Sequence, residues 1–100
     1  MTENFNYETF AGQLNTKFAL PDVNQPFELE LINVTEPTVT ASQTFFSLFF
    51  LGSPDFLLPQ GTHRLQHDQL GELMIFLVPT SRDTDGIKYE AVFNLLNGAK

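Results

Sequence analysis

The sequence predicts a mostly β fold: a small antiparallel β-barrel or compact sandwich of about six strands with a short N-terminal helix. Two segments, Thr44–Leu51 and Leu73–Val78, are apolar on both faces of the strands they would form, which is typical of strands covered on both sides. Other segments alternate between apolar and polar residues, and turn-forming residues separate them. The chain has 100 residues, the length of one domain, and we assign residues 1–100 to a single β domain.

The N-terminal part begins with the predicted helix, over Asn6–Leu14, with Asn6 as its N-cap. We expect this helix to cover one end or one outer face of the sheet. A short strand over Lys17–Leu20 follows, and Phe27–Val34 is the next strand, with a bulge or a change of face near Ile32. The apolar residues of the helix have the spacing of one helical face: Tyr7, Phe10, Ala11 and Leu14.

The C-terminal part holds four predicted strands, and the last three are expected to form a meander. Thr35–Gln43, which precedes them, contains Pro37 and is interpreted as a loop or a ragged edge. Gly52–Gly61 is interpreted as a loop with an apolar plug, and Asp85–Gly86 is a hairpin signal. The four strands are Thr44–Leu51, Thr62–His67, Leu73–Val78 and Ile87–Leu95.

The first two-faced strand poses the question of which side points outward. Its two faces are Phe46, Leu48 and Phe50 on one side, and Phe45, Phe49 and Leu51 on the other. Ser47, the polar residue among them, shares the second face, so we expect that face to be the outer one. Left uncovered, it would expose the kind of apolar patch that marks interaction sites.

Composition excludes several functions. Cysteine is absent, so there are no disulfides, thiolate catalysis or cysteine-based metal sites, and we expect no cofactor. The formal net charge is −7 and the basic residues are scattered, so we expect no nucleic-acid or membrane partner. The first residues lack the basic and apolar regions of a Sec signal peptide. We therefore expect a cytoplasmic protein, unless a route other than Sec exports it.

Several short motifs occur in order between Phe46 and Asn94. They are Phe46–Leu48, Gly52 and Pro54, Gln60–Gly61, His67, Leu70–Gly71, Phe76–Pro79 and Tyr89–Asn94. In these motifs the chain resembles the small bacterial proteins of the DUF6916 family, a domain of unknown function. His63 departs from the family pattern, in which Tyr is expected. The resemblance implies a compact β domain, no known catalytic residues, and an association with phage-tail-like fibre or collar proteins.

The two histidines, His63 and His67, do not form a predicted metal site. On one extended strand they would stand about 13 Å apart, at roughly 3.3 Å per residue, too far to bind one zinc ion together. We interpret His67 as a structural residue that hydrogen-bonds the following turn, with a catalytic or ligand contact as the alternative.

Three acidic features are interpreted as structural. Asp83–Gly86 faintly resembles a calcium loop, but its position between two strands predicts a hairpin turn. Glu28 and Glu30 share a strand face and are interpreted as its solvated side. Glu90 is expected to pair with Lys88 or Arg64, or to anchor a turn, with a ligand contact as the alternative.

Together these observations predict a non-enzymatic structural or protein–protein interaction module that binds a protein partner or forms a homo-oligomer. One alternative is a small-ligand-binding β-barrel with the Phe-rich interior as its pocket. Another is an enzyme that uses His67 with a nearby carboxylate such as Asp68. The expected interaction surface is Phe45, Phe49, Leu51, Phe56 and Leu57.

Overall fold

The computed structural model describes residues 6–23 and 26–96. Within these ranges the chain forms one helix, α1, and seven strands, β1 to β7. Their bounds are α1 Tyr7–Ala11, β1 Lys17–Ala19, β2 Glu28–Val34, β3 Thr38–Val39, β4 Gln43–Gly52, β5 Gly61–His67, β6 Gly71–Asp83 and β7 Gly86–Leu96.

Six of the strands close into an antiparallel β-barrel. The neighbours run β2–β1–β5–β6–β7–β4, and β4 pairs back with β2 to close the ring. The predicted barrel with a short helix is therefore confirmed, and so is the meander of β5, β6 and β7. A bulge lies between Leu31 and Asn33 of β2, where the sequence predicts a bulge or a change of face.

The additional strand, β3, lies on the edge of β4, where Thr38 pairs with Phe45 and Val39 with Thr44. It falls inside the stretch that the sequence analysis interprets as a loop or a ragged edge. Because β3 is only two residues long, it has no periodic pattern from which it could be recognised.

Side chains fill the barrel interior. Tyr89 and Phe50 are fully buried, and the inward residues of β4 are Phe46, Leu48 and Phe50, as predicted from the position of Ser47. In the described part of the chain, these side chains form a packed core. The buried apolar residues are Phe10, Phe18, Leu20, Phe27, Leu29, Leu31, Phe46, Leu48, Phe50, Leu58, Leu65, Leu73, Ile75, Leu77, Ile87, Tyr89 and Ala91.

Helix α1 covers one end of the barrel. Its N-cap is Asn6, as predicted, and the Asn6 side chain accepts a hydrogen bond from the backbone N–H of Thr9 at 2.8 Å. Phe10 stacks on Phe93 with ring centroids 5.5 Å apart and lies 6.4 Å from Phe46. Both partners belong to inward faces, so the idea that the helix covers the outer face of β4 is wrong. The helix is also shorter than predicted, since it ends at Ala11.

The loop between β4 and β5 covers the other end of the barrel. Leu58 is buried, and its backbone N–H donates to the Tyr89 hydroxyl at 2.9 Å. The Phe56 ring packs edge-on against Phe27 at 5.3 Å. Gly52 ends β4 at this point, where a Cβ would come within 2.7 Å of the Leu29 side chain. The loop is thus the apolar plug that the sequence predicts.

Strand β6 is longer than predicted. It continues past Pro79 to Asp83, and a register shift between Pro79 and Ser81 accommodates the residue that cannot donate a backbone hydrogen bond. The first half of β6 pairs with β5, and the second half, from Val78 onward, pairs with β7. Strand β6 therefore changes partner part-way along its length.

Candidate interaction surfaces

The outer row of β4 contains three of the predicted interaction residues, Phe45, Phe49 and Leu51, all partly buried. Each pairs across the sheet with a polar residue of β7: Phe45 with Asn94, Phe49 with Glu90 and Leu51 with Lys88. On the other side Leu51 pairs with Glu30 and Phe49 with Asn33 of β2, and Phe45 pairs with Thr38 of β3. Polar side chains on both sides therefore shield this apolar row from water.

Larger exposed apolar side chains lie on β6 and β7. Val92 is 65% exposed, Met74 55% and Phe76 50%. We call the surface formed by Phe49, Phe76, Val78 and Val92 the outer face. Glu90 lies between two of these residues, because it pairs with Val78 of β6 on one side and with Phe49 of β4 on the other. Sequence reasoning recognised β6 as two-faced but did not assign its outward residues, because both sets are equally apolar.

The other two predicted interaction residues lie elsewhere. Phe56 is partly buried against the core at the plugged end of the barrel. Leu57 is 49% exposed in the same loop. The structure thus places the five residues in two separate groups, three on β4 and two in the plug.

A groove of about 660 Å³ opens at the seam between β1 and β5. The two strands are joined at a single pair, Ala19 with Gln66, after which the chain turns away from β5. The seam groove is lined by Leu20, Asp22, Val23, Phe56, Leu58, Pro59, Thr62, His63, Arg64 and Met74.

Arg64 lies at the rim of the seam groove and is already paired. It donates two hydrogen bonds to the Asp22 carboxylate, at 2.7 and 3.2 Å, and lies 3.5 Å from Glu72. The bonded guanidinium lowers the pKa of Asp22, and the carboxylate in turn raises the pKa of Arg64. Of the partners expected for Glu90, Arg64 is thus engaged elsewhere, with Asp22 across the seam and with Glu72.

His67 is buried and fastens the turn between β5 and β6 to the segment before β1. Its Nδ1 accepts hydrogen bonds from the backbone N–H groups of Gln69 and Leu70, at 3.0 and 3.2 Å. Nδ1 is therefore unprotonated, and Nε2 carries the proton and donates to Thr16 Oγ1 at 2.8 Å. The Thr16 hydroxyl then donates to the carbonyl of Gln13 at 2.7 Å.

This environment favours neutral His67. Burial lowers its pKa, and the nearby Asp68 carboxylate acts in the opposite direction. The prediction that His67 hydrogen-bonds the following turn is confirmed. Sequence reasoning missed Thr16, because it lies 51 residues away in the chain.

The remaining sequence-predicted features are separate from one another. His63 Nε2 lies 2.8 Å from the Pro59 carbonyl and donates to it, so this ring lies on the plug and not beside His67. Asp83–Gly86 forms the predicted hairpin turn, in which Asp83 Oδ1 accepts from the backbone N–H of Asp85 at 2.9 Å. Over residues 6–23 and 26–96, no three His, Cys, Asp or Glu residues are grouped so that they could hold a metal ion.

Across the described ranges, no helix has the length and apolarity of a membrane span.

Comparisons with known proteins identify the family of this chain. No curated protein and no solved structure is significantly similar to this chain. The model of the domain of unknown function DUF6916 matches residues 5–93, which is most of the chain. On that match, this protein belongs to the DUF6916 family.

Proposed function

We propose that this protein is a non-enzymatic interaction module that docks on another protein through its outer face. The observation that carries the proposal is the exposure of large apolar side chains there: Val92 is 65% exposed and Phe76 50%. Such side chains, clustered on one surface, are typical of sites that bind another protein. Following the resemblance described above, we propose a fibre or collar protein of a phage-tail-like assembly as the partner.

The state of the buried histidine supports a non-enzymatic role. Both ring nitrogens of His67 are engaged in hydrogen bonds with the protein itself. A general base needs a free nitrogen within reach of a substrate proton. The turn and Thr16 occupy the positions that a substrate would need, so we interpret His67 as part of the scaffold.

The test compares two valines of matched exposure. Val92→Glu places a charge on the outer face, while Val39→Glu places it on β3, where Val39 is 66% exposed. Val39 pairs with Thr44, which belongs to the inward-facing set of β4, so it lies on the opposite side of the sheet from Val92. Both variants are expected to fold, because each changes a mostly exposed side chain.

Sedimentation velocity measures self-association, and co-purification with proteins of the native host measures docking on a different partner. We expect Val92→Glu to weaken association at least about tenfold and Val39→Glu to leave it unchanged. The proposal fails if wild-type protein stays monomeric and captures the same proteins, in the same amounts, as Val92→Glu.

A further inference from the structure

The backbone of β5 is paired unequally on its two edges. Along one edge, every residue from Gly61 to His67 pairs with β6. Along the other edge, the described residues supply one partner, Ala19 of β1, which pairs with Gln66. Strand β1 ends at Ala19, and the turn that follows is closed by a hydrogen bond from Val23 N–H to the Leu20 carbonyl.

This leaves the seam side of Gly61–Leu65 without a strand among the described residues. Such an edge presents backbone N–H and C=O groups at the spacing of a β ladder. Five residues of extended chain cover about 17 Å, at roughly 3.3 Å per residue. That length matches a short peptide segment better than a compact small molecule.

The seam groove lies along this edge and supplies apolar walls. Its apolar lining comes from Leu20 and Val23 after β1, from Met74 of β6, and from Phe56 and Leu58 of the plug. Its volume, about 660 Å³, falls within the range of ordinary binding pockets, about 300–1,000 Å³. A strand edge beside apolar walls is the arrangement by which proteins bind extended peptides: backbone hydrogen bonds give affinity, and pockets select alternate side chains.

Charge at the rim restricts the kind of peptide. Arg64 is the cation at the rim, and its guanidinium is already bonded to Asp22 and close to Glu72. Asp22 and Arg64, which line the groove, balance each other in charge, and Glu72, outside the lining but 3.5 Å from Arg64, adds a negative charge beside the rim. The whole chain has a formal net charge of −7. Acidic ligands are therefore disfavoured, and a basic side chain beside the apolar residues is favoured.

From these observations we propose that the seam groove binds an extended segment of a partner protein as an additional strand on β5. The segment carries apolar side chains at alternate positions and a basic residue that faces Asp22 and Glu72. None of the residues that line the groove belongs to the outer face, which it adjoins on β6, so the proposal does not depend on the proposed function.

The probe is a library of random linear peptides about twelve residues long, with the affinity of selected peptides measured by fluorescence anisotropy. Met74→Lys and Phe76→Lys form a matched pair, because both residues are exposed on the outward side of β6 but only Met74 lines the groove. Met74→Lys is expected to weaken binding at least about tenfold and Phe76→Lys less than about twofold. Asp22→Asn is expected to weaken the binding of peptides that carry Lys or Arg.

Amide hydrogen exchange by NMR then locates the bound peptide. The expected result is slower exchange at backbone amides within Gly61–Leu65 when peptide is added. The proposal is overturned if no selected peptide binds more tightly than about 100 μM, or if Phe76→Lys abolishes binding while Met74→Lys does not. It is also overturned if peptide or small apolar molecules bind without slowing exchange in β5. Protection of β5 that rises with protein concentration alone would overturn it too, because the occupant would then be a second copy of the chain.

Discussion

Strands β4 and β6 have the same kind of sequence, apolar on both faces, yet their outward residues differ in exposure. On β4 the outward residues Phe45, Phe49 and Leu51 are partly buried, whereas on β6 Met74 and Phe76 are 55% and 50% exposed. The difference lies in the neighbours. Phe45, Phe49 and Leu51 have polar partners on both edges of β4. Among the described residues, Met74 and Phe76 pair on one edge of β6, with Arg64 and Thr62 of β5, because the pairing of β6 with β7 begins at Val78.

This comparison shows that an apolar outer face does not need a covering helix or a second molecule. Flanking side chains shield an apolar row when they lie on both sides of it. Besides a covering helix or a partner molecule, neighbouring side chains of the same sheet are thus a third way of hiding the outer face of β4. The same strand pattern therefore gives a shielded row on β4 and an exposed one on β6.

The largest expected effect separates the two faces of β4. Phe50→Ala removes a fully buried ring that packs edge-on against Phe18 at 5.3 Å, so we expect a loss of about 3–5 kcal/mol in the free energy of unfolding. Phe49→Ala, on the outer face, should cost about 1–2 kcal/mol, because that side chain is partly exposed in the folded state. Urea denaturation measures both, and equal losses would contradict the assignment of the faces.

An intermediate effect compares the outward residues of β4 and β6. Phe49→Glu removes partly buried apolar surface and places a carboxylate directly opposite Glu90, so we expect a loss of about 2–3 kcal/mol. In Phe76→Glu the new carboxylate lies opposite Thr62, so we expect the free energy of unfolding to fall by less than about 1 kcal/mol. Thermal unfolding followed by circular dichroism measures the difference. A larger loss in Phe76→Glu would show that β6 is the shielded strand.

The smallest expected effect concerns the turn from which β6 begins. Folding lowers the pKa of His67 below its ordinary value of 6.5, so the unfolded chain binds more protons just below that pH. The free energy of unfolding should therefore be level above about pH 6.5 and fall as the pH drops below it. Urea denaturation between about pH 8 and pH 5.5 measures this slope.

Two histidine variants identify the group responsible for the slope. His67→Gln should lower stability and flatten the slope, because it removes the titrating ring from the hydrogen bonds with Thr16 and the turn. His63→Tyr, on the plug, should keep the slope. If His63→Tyr flattened it instead, the assignment to His67 would be wrong.

The elements that sequence reasoning predicted well are those with a strong local signal. Ser47 identified the outer side of β4, and Asn6 identified the start of the helix. The errors have equally specific causes. β3 is too short for a pattern, and β6 continues to Asp83 beyond the predicted end at Val78, through a register shift between Pro79 and Ser81.

The candidate sites were harder to predict than the fold. Leu57, which was predicted to belong to an interaction surface, is 49% exposed, but Met74, Phe76 and Val92, which are also exposed, were not proposed as surface residues. No local signal distinguishes Met74 from Leu73, since both are apolar neighbours on one strand. The seam groove arises where β1 and β5 separate after a single residue pair. Arg64 and Asp22, which bond across this gap, are 42 residues apart in the chain.

Composition and patterns within a few residues were enough to predict the alternation of polar and apolar faces along the strands, the core rich in Phe and Leu and the absence of cysteine chemistry. The closure of the sheet decided which outward residues are shielded and where, among the described residues, a strand edge lacks a partner strand. It also decided that His67 bonds Thr16 and that Arg64 bonds Asp22. These depend on which distant side chains become neighbours when the sheet closes, and local periodicity carries no information about that.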